Sequence, residues 1–395
     1  MPKVRVSRSL NIPDPLKVSR YRKIPELGPR ILFFSGGTAL TGLSRTLKNY
    51  THNSIHLVTP FDSGGSSAKL RDAFSMPAVG DLRSRLMALA DETVLGHPEV
   101  FALFSYRLPS EPPDSELRAR LERMVSGEDP LIGAIPQPMR RLICNHLGYF
   151  VDAMPEAFNL SGASIGNLLL SGGYINHHRD LEPILFLFSK LVNVQGTVCA
   201  IVDDDLHLKA ELEDGSTVIG QHRLTGKEVA PVSSRIRRLC LCESLEKPDE
   251  TTSQLPKGNR TLIQQADLIC YPPGSFYSSL VANLLPEGVG RAIARNDCPK
   301  VYIPNQGNDP EQIGMTLEDC IRTLLEALGR DGVTAPADLL NFVIVDSRHG
   351  RYPGGIPAQL LSSLGIELID LRLIDPRSGP HYDNERLVEA LLSLA

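Results

Sequence analysis

The chain has 395 residues and a formal net charge of −5 from 41 basic and 46 acidic side chains, so a broad nucleic-acid-binding surface is not expected. Hydrophobic residues make up 42% of the sequence and charged residues 22%, which is typical of a folded globular protein. No apolar run approaches the roughly 20 residues of a membrane-spanning helix, so no membrane partner is expected. The seven cysteines lack zinc-site spacing, and this favours reduced thiols in a cytoplasmic protein.

Residues 1–29 differ from the rest of the chain because they are basic and rich in proline. They are predicted to form an N-terminal arm that is extended on a neighbouring molecule or mobile, since prolines such as Pro13, Pro15 and Pro25 interrupt a helix. An organelle transit peptide is a weaker interpretation, because a clean amphipathic pattern is missing. Residues 30–395 are expected to form the folded domain.

The first apolar run ends at paired glycines and leads into an amphipathic stretch, which predicts a strand, a tight turn and a helix. The N–H groups of such a turn form an anion site, so Gly36, Gly37 and Thr38 are expected to contact a phosphate. A P-loop is unlikely on this pattern because Leu43 stands where a lysine is needed. The dinucleotide fingerprint also fails, because Thr38 occupies its second glycine position. A plain turn without a ligand is the alternative.

A second predicted strand, at 54–59, also ends in a small polar loop. Asp62 follows this strand, and Asp81 stands at the start of a predicted helix at 81–91, where it is a natural N-cap. Together they can be two carboxylates facing one cation or ligand site; the alternative is that Asp62 closes a turn and Asp81 only caps its helix. Hydroxyls, amides and positive charge near Asp62 come from Ser63, Gly64, Gly65, Ser66, Ser67, Lys69 and Arg71.

Residues 95–150 are rich in helical pattern and broken by prolines, which predicts a helical insertion that covers the site. A β-hairpin is predicted around 213–216, where an Asp-Gly pair separates two short strands. The remaining apolar runs alternate with helical stretches, which predicts βα units on a parallel sheet. The predicted helices are at 162–174 and 180–192, and the predicted strands are at 197–202, 235–241, 266–271, 300–303 and 342–345.

A second glycine-containing turn, Gly274-Ser275, also follows a predicted strand and opens a helix, so it is predicted to bind an anion. Tyr277 within this helix either stacks on a ring of the ligand or packs in the core. Asn167 begins another predicted helix, where it either binds a phosphate or sugar hydroxyl or caps the helix. The acidic run 203–205 ends a strand and is more typical of a solvated turn than of a metal site.

Several of these segments, taken together, resemble the CofD/YvcK family. The family has a three-layer, Rossmann-like α/β fold with a mainly parallel sheet, which here would carry the helical insertion and the β-hairpin. The similar segments run in order from about residue 30 to the C-terminus and include 61–71, 80–83, 88–91, 165–170, 205–212, 266–269, 273–280, 301–305 and 384–389.

The resemblance implies one of two functions. The CofD transferase moves a phospholactyl-type group from a guanosine diphosphate (GDP) ester to a deazaflavin alcohol with Mg²⁺, whereas the YvcK branch binds a UDP-sugar and acts as a regulator. By position, Asp62 and Asp81 match the transferase aspartates that hold the metal and the acceptor. Ser63 stands where the family usually has a second acid, and the Gly-Gly-Ser-Ser loop is more similar to the YvcK branch.

The resemblance therefore predicts a nucleotide-conjugate-binding protein, and a magnesium-dependent phospholactate-type transferase if it is an enzyme. Asp62 and Asp81 would then be the catalytic and metal-binding residues. The alternative is a non-catalytic regulator that binds a UDP-sugar, and a homodimer is plausible in either case. An NAD-dependent oxidoreductase is a weaker hypothesis, because its glycine pattern is missing. The predicted ligand-binding residues are Gly36, Gly37, Thr38, Ser63, Gly64, Gly65, Ser66, Ser67, Lys69, Arg71, Arg83, Asn167, Gly274, Ser275, Tyr277 and Asn305.

Overall fold

The computed structural model describes residues 9–395 except 227, 228, 376 and 378, so residues 1–8 of the predicted arm lie outside it. Within these residues, strands and helices alternate around one central sheet. The first part contains α1 (Pro15–Lys23), β1 (Ile31–Ser35), α2 (Thr41–Leu47), β2 (Ile55–Val58), α3 (Gly65–Phe74) and α4 (Gly80–Leu89). A helical part follows, with α5 (Pro98–Ser105), α6 (Asp114–Ser126), α7 (Pro130–Gly133), α8 (Met139–Ala153), α9 (Ile165–Asn176) and α10 (Leu181–Leu191).

The second half of the chain completes the central sheet and adds a smaller one. It continues with β3 (Thr197–Ala200), β4 (His207–Leu212), β5 (Thr217–Ile219), α11 (Gln221–Leu224), β6 (Ile236–Cys242) and β7 (Glu250–Thr251). It ends with α12 (Lys257–Gln265), β8 (Leu268–Tyr271), α13 (Val289–Ala294), β9 (Lys300–Tyr302), α14 (Leu317–Gly329), β10 (Phe342–Val345), α15 (Ala358–Leu364), β11 (Glu367–Asp370) and α16 (Asn384–Leu394).

The central sheet has seven strands in the order β11-β10-β9-β8-β1-β2-β3, and every neighbouring pair is parallel. β1 is buried along its whole length, as expected for a parallel strand covered on both faces. Its residues alternate between two cores: Ile31 and Phe33 pack with α2 and α16, whereas Leu32 and Phe34 pack with α12, α13 and α14. The predicted Rossmann-like fold with a mainly parallel sheet is confirmed.

The smaller sheet is antiparallel, with the order β5-β4-β6-β7, and its β4–β5 hairpin is the one predicted around 213–216. The turn contains Gly215 at a φ of 84°, a left-handed conformation that glycine adopts without strain. β5 ends at Ile219. Gln221 begins the short helix α11, which carries the chain back toward the carboxyl ends of the central strands.

The N-terminal segment differs from the extended or mobile arm that the prolines predict. Residues 15–23 form α1, and Pro15 occupies its first turn, where the missing N–H of proline costs no helical hydrogen bond. The Asp14 carboxylate caps this helix, and its backbone N–H donates to the Ser393 hydroxyl at 2.8 Å. Lys17 also donates to the carbonyl of Ser393 at 3.3 Å, so α1 is fixed against α16.

Residues 95–150 are mostly helical, as predicted, and α8 packs directly against α9. A Cβ atom at Gly172 would lie 2.0 Å from the backbone carbonyl oxygen of His146, so glycine is required for this close approach. α9 carries Asn167 in its first turn, and its position against the sheet therefore depends on this packing. None of the helices in the described residues is both long and apolar enough to cross a membrane.

We predict that Gly172→Ala destabilises the protein, because the new methyl group meets the His146 carbonyl, a backbone atom that cannot turn away. Overpacking of this kind lowers the free energy of unfolding by about 1–3 kcal/mol, which chemical denaturation measures. Gly148→Ala in α8 is the matched control, since its Cβ would lie 3.7 Å from the nearest side chain. This variant should gain up to about 1 kcal/mol of helix propensity. Equal stability of the two variants would contradict the proposed contact.

Candidate functional site

The carboxyl ends of β1, β2 and β8 surround a cleft of about 450 Å³. From β1 the strand order runs through β2 and β3 in one direction and through β8 to β11 in the other. Open parallel sheets bind ligands at such a reversal. The structure places these predicted site residues in the walls of the cleft: Gly36, Gly37, Thr38, Asp62, Gly64, Gly65, Ser66, Ser67, Asp81, Arg83, Asn167, Gly274 and Ser275.

The buried side chain of Arg85 forms hydrogen bonds with the glycine turn after β1. Its guanidinium donates to the carbonyls of Gly36 at 3.2 Å and Gly37 at 3.1 Å, and to the Ser44 hydroxyl at 2.6 Å. Burial lowers the pKa of Arg85 to about 10, and the nearby Asp81 carboxylate opposes this shift. Arg85 was not predicted as a site residue, although its position between Leu82 and Leu89 on the apolar face of α4 was a signal.

The loop after β2 is fixed by two polar contacts that differ from the predicted ligand roles. The Asp62 carboxylate accepts a hydrogen bond from the N–H of Gly64 at 3.1 Å. Asp62 therefore closes its own turn, which is one of the two roles that the sequence allows. Ser63 is buried, and its hydroxyl lies 2.8 Å from Nδ1 of His222 in α11. This contact joins the loop to α11, and Ser63 itself is not among the residues in the walls of the cleft.

Two of the predicted cationic residues lie outside the cleft. Arg71 is only 4% exposed; it forms an ion pair with Asp205 at 2.7 Å and donates to the carbonyl oxygen of Asp62 at 3.2 Å. It therefore anchors the loop that carries Asp62. Lys69 lines a neighbouring pocket, where its ammonium donates to the carbonyl of Ser161 at 3.2 Å.

Asp81 lies inside the first turn of α4, because the helix begins one residue earlier than the sequence predicts. The residue at the N-cap position is Val79, and it forms no side-chain capping bond. A Cβ at Gly37 would lie 3.2 Å from Oδ1 of Asp81, and a Cβ at Gly80 would lie 3.8 Å from Oδ2 of Asp62. Both carboxylates therefore face the same part of the cleft, beside the glycine turn.

These two carboxylates are the acidic side chains that the cleft offers to a cation. Over the described ranges, no group of three or more histidine, cysteine or acidic side chains is arranged to hold a metal ion. Mg²⁺ commonly binds through one or two carboxylates and completes its coordination with phosphate oxygens and water. Asp62 and Asp81 fit this pattern only together with a ligand that supplies oxygen atoms.

Arg83 and Asn167 form the polar wall opposite the glycine turn. Nε of Arg83 donates to Oδ1 of Asn167 at 2.9 Å, and Nδ2 of Asn167 donates to the Ser66 hydroxyl at 3.3 Å. Burial and then repulsion from Arg107 lower the pKa of Arg83 to about 10, whereas Asp81 opposes the shift. The wall thus contains two guanidinium groups close enough to repel each other, and an anion between them would relieve this repulsion.

The turn after β8 is closed by Asn305 rather than open on all sides. The N–H of Gly274 donates to Oδ1 of Asn305 at 2.7 Å, and Nδ2 of Asn305 donates back to the Gly274 carbonyl at 2.6 Å. Gly274 has a φ of 148°, which glycine adopts readily. Asn305 therefore shapes the turn from behind, and it lies outside the walls of the cleft.

The helical amides that follow this turn are already occupied by two acidic side chains. Asp309 accepts the N–H of Phe276, and Glu311 accepts the N–H groups of Tyr277 and Ser278, each at 2.8 Å. These three N–H donors are therefore engaged within the protein and are not open to the anion that the sequence predicts at this turn. Tyr277 is buried and donates its hydroxyl to the carbonyl of Ile236 at 3.0 Å, which is the packing alternative.

Several residues in the walls of the cleft were not predicted. The most polar are Arg107 from the helical part and Gln221, His222 and Thr225 from or beside α11. Nothing in the local sequence of α11 marks a site, because it reaches the cleft only through the fold of the smaller sheet. Ser279, which lies in the similar segment 273–280, also lines the cleft, and a Cβ at Gly36 would lie 2.3 Å from its hydroxyl.

Comparison with known proteins identifies the family of this fold and cleft. The sequence profile of the family described as 2-phospho-L-lactate transferase CofD matches residues 31–353. The chain belongs to the CofD family. Membership of the CofD family implies a nucleotide-type or sugar-phosphate ligand, but it does not by itself specify which one.

Among relatives in the CofD family, a putative gluconeogenesis factor of Nostoc sp. PCC 7120 is 31% identical over 380 residues, covering 92% of this chain and 68% of that protein. The gluconeogenesis factor of Bacillus subtilis is 30% identical over 381 residues, covering 93% and 98%. A crystal structure of a UPF0052 family member from Bacillus halodurans superposes with a TM-score of 0.67 at 25% identity, covering 92% of this chain and 99% of that one. The predicted family resemblance is confirmed.

We predict that Glu311→Gln makes the protein less sensitive to pH. Burial and the charge of Asp309 raise the pKa of Glu311 above its ordinary value of 4.5. The folded state therefore holds this proton more tightly, and the free energy of unfolding should fall as pH rises from 4.5 through the raised pKa. The loss is about 1.4 kcal/mol for each unit of the pKa shift. Urea unfolding at several pH values measures it.

The glutamine variant suits this test because its oxygen can still accept both amides that Oε2 accepts. Its NH₂ group would face the Ser278 hydroxyl, which can rotate from donor to acceptor. Glu122→Gln on α6 is the control, since Glu122 is exposed, and it should keep the wild-type pH profile. A Glu311→Gln profile that matches the wild type would contradict the raised pKa.

Proposed function

We propose that the cleft binds the diphosphate group of a nucleotide conjugate, and that the chain acts as a ligand-binding regulator rather than as a transferase. The observation that carries the proposal is the charge of the cleft wall, where Arg83 and Arg107 face an open volume beside the glycine turn. Neither guanidinium has a carboxylate within 4 Å in the portion of the chain that is described. A diphosphate would accept charge-assisted hydrogen bonds from both guanidinium groups.

The arrangement of the acidic residues supports binding without turnover. Ser63 takes the place of an acid that the family resemblance leads one to expect, and its hydroxyl contacts His222. Asp62 closes its own turn through Gly64, and Asp81 offsets the charge of Arg83 and Arg85. Both carboxylates therefore already serve the protein, which weakens the case for a metal-centred reaction. The names of the relatives, gluconeogenesis factors, agree with a regulatory function.

The second candidate is a magnesium-dependent transferase of the phospholactate type. The observation that favours it is that Asp62 and Asp81 face one part of the cleft from two different loops. When bound there with a diphosphate, Mg²⁺ would neutralise charge and orient the reacting oxygens. Arg83 and Asn167 would hold the phosphate, and an acceptor alcohol would approach along the open side of the cleft.

Thermal and chemical unfolding with and without ligand distinguishes these candidates. The ligands are UDP-glucose, GDP-mannose, GDP and a deazaflavin alcohol, each tested with Mg²⁺ and with EDTA. A ligand at 100 times its dissociation constant adds about 2.7 kcal/mol of stability. We expect a nucleotide sugar to give this stabilisation equally in EDTA, and Asp62→Asn to keep it. Stabilisation that requires Mg²⁺ and disappears in Asp62→Asn would instead establish the second candidate.

A pair of charge-removing variants tests the site itself. Arg83→Gln should weaken binding of the nucleotide sugar about tenfold or more, because it removes a charge-assisted hydrogen bond to phosphate. Arg141→Gln is the matched control, because Arg141 is exposed on α8 and does not line the cleft. Removal of this charge should leave the affinity unchanged. Titration calorimetry measures both. Equal affinities for Arg83→Gln and wild type would overturn the proposed site.

A further inference from the structure

A smaller pocket of about 230 Å³ opens beside the cleft. The two cavities share Gly65, Ser66, Arg107 and Asn167 as wall residues. The two cavities are therefore adjacent, and the side chains of the shared residues lie at the boundary between them. Leu70, Phe158 and Leu168 give the side pocket an apolar floor, which suits the carbon atoms of a sugar ring.

The first turn of α9 enters the side pocket with an unused polar group. Ser164 is the N-cap residue of this helix, but its side chain makes no capping hydrogen bond. The residue is 1% exposed, it lines the pocket, and its buried hydroxyl has no hydrogen-bond partner among the described residues. A buried hydroxyl without a partner is costly, and a polar atom of a ligand in the pocket would remove this cost. The helix terminus adds partial positive charge.

Two cations stand at the entrance to the same pocket. The segment around Arg107 is held against the start of α9 by backbone bonds from Leu108 to Ala163 at 2.9 Å and from Ile165 to Tyr106 at 3.0 Å. The guanidinium of Arg107 then donates to the Gly162 carbonyl at 3.2 Å, and Lys69 donates to the Ser161 carbonyl at the same distance.

Both contacts are to carbonyl oxygens, which carry no net charge, and both cationic residues are also exposed to solvent. In the part of the chain that the structure covers, neither Lys69 nor Arg107 has an acidic side chain within 4 Å. A neutral sugar would satisfy hydrogen bonds here but would leave the charges as they are. An anionic substituent would accept hydrogen bonds from Lys69 and Arg107 and balance their positive charges. It would also contact the helix terminus and the Ser164 hydroxyl.

We infer that the side pocket binds a carboxylate carried by the sugar of the nucleotide conjugate whose diphosphate lies in the cleft. The ligand class is thus a nucleotide-linked sugar acid rather than a neutral nucleotide sugar. This inference rests on the proposed function, since it requires that the cleft hold the diphosphate. It assigns Lys69 and Ser164 to recognition of the sugar and leaves Arg83 with the diphosphate. Arg107, which lines both cavities, lies between the two groups.

Paired nucleotide sugars that differ only at one carbon test this assignment. Calorimetry compares UDP-glucuronate with UDP-glucose, and GDP-mannuronate with GDP-mannose, so that both a uracil and a guanine base are tested. In the wild type, the acid of the recognised pair should bind about tenfold or more tightly than its neutral partner, as expected for charge-assisted hydrogen bonds. In Lys69→Gln and Arg107→Gln, the ratio of the two dissociation constants should fall toward one.

Two further variants separate recognition from folding and from general charge. Ser164→Ala should reduce the same ratio without lowering the free energy of unfolding, because no hydrogen bond within the protein is lost. Arg141→Gln removes one positive charge far from both cavities and should keep the wild-type ratio. A ratio of one in the wild type, or a ratio unchanged in Lys69→Gln and Arg107→Gln, overturns this inference alone. Failure of all four ligands to bind overturns the proposed function, and this inference with it.

Discussion

The buried guanidinium of Arg85 is the contact on which the cleft depends most. It joins three elements at once: the glycine turn after β1 through two carbonyls, α2 through the Ser44 hydroxyl, and α4 to which it belongs. A charge this deeply buried is costly unless it is hydrogen-bonded and offset. The two carbonyls accept hydrogen bonds from the guanidinium, and the Asp81 carboxylate offsets part of its charge. The acidic residue facing the ligand therefore also stabilises the turn that shapes the floor of the cleft.

The two glycine-containing turns are similar in sequence but are used differently. The carbonyls of the turn after β1 accept hydrogen bonds from the Arg85 guanidinium. The amides that follow the β8 turn instead donate to Asp309 and Glu311. Negative protein charge thus lies behind the second turn, and positive charge from Arg83 and Arg107 lies on the opposite wall. This asymmetry favours a ligand whose phosphates lie toward α4 and α9 rather than toward β8.

The helical part of the chain also supplies and positions residues of the cleft and the side pocket. Because Gly172 allows α8 to approach α9 closely, the first turn of α9 is held firmly at the boundary between the cleft and the side pocket. The same region supplies Arg107, which is paired through its backbone to the start of α9. The close approach of α8 to α9 and the backbone pairing of Arg107 with Ser164 together position this region, which would recognise a sugar.

The sequence by itself determined the parallel sheet, the hairpin and the two strand-end loops, because hydrophobic periodicity and glycine placement are local properties of the chain. The sequence suggested that Asp62 and Asp81 face one site, and the family resemblance added Asn167; the structure places all three in the walls of one cleft. Only the tertiary structure decided which polar groups remain open to a ligand. Arg71 resembles a phosphate-binding residue until Asp205 is placed beside it, and the amides after β8 resemble an anion site until Glu311 occupies them. Arg107 and His222 carry no local signal, because long-range packing brings them to the cleft.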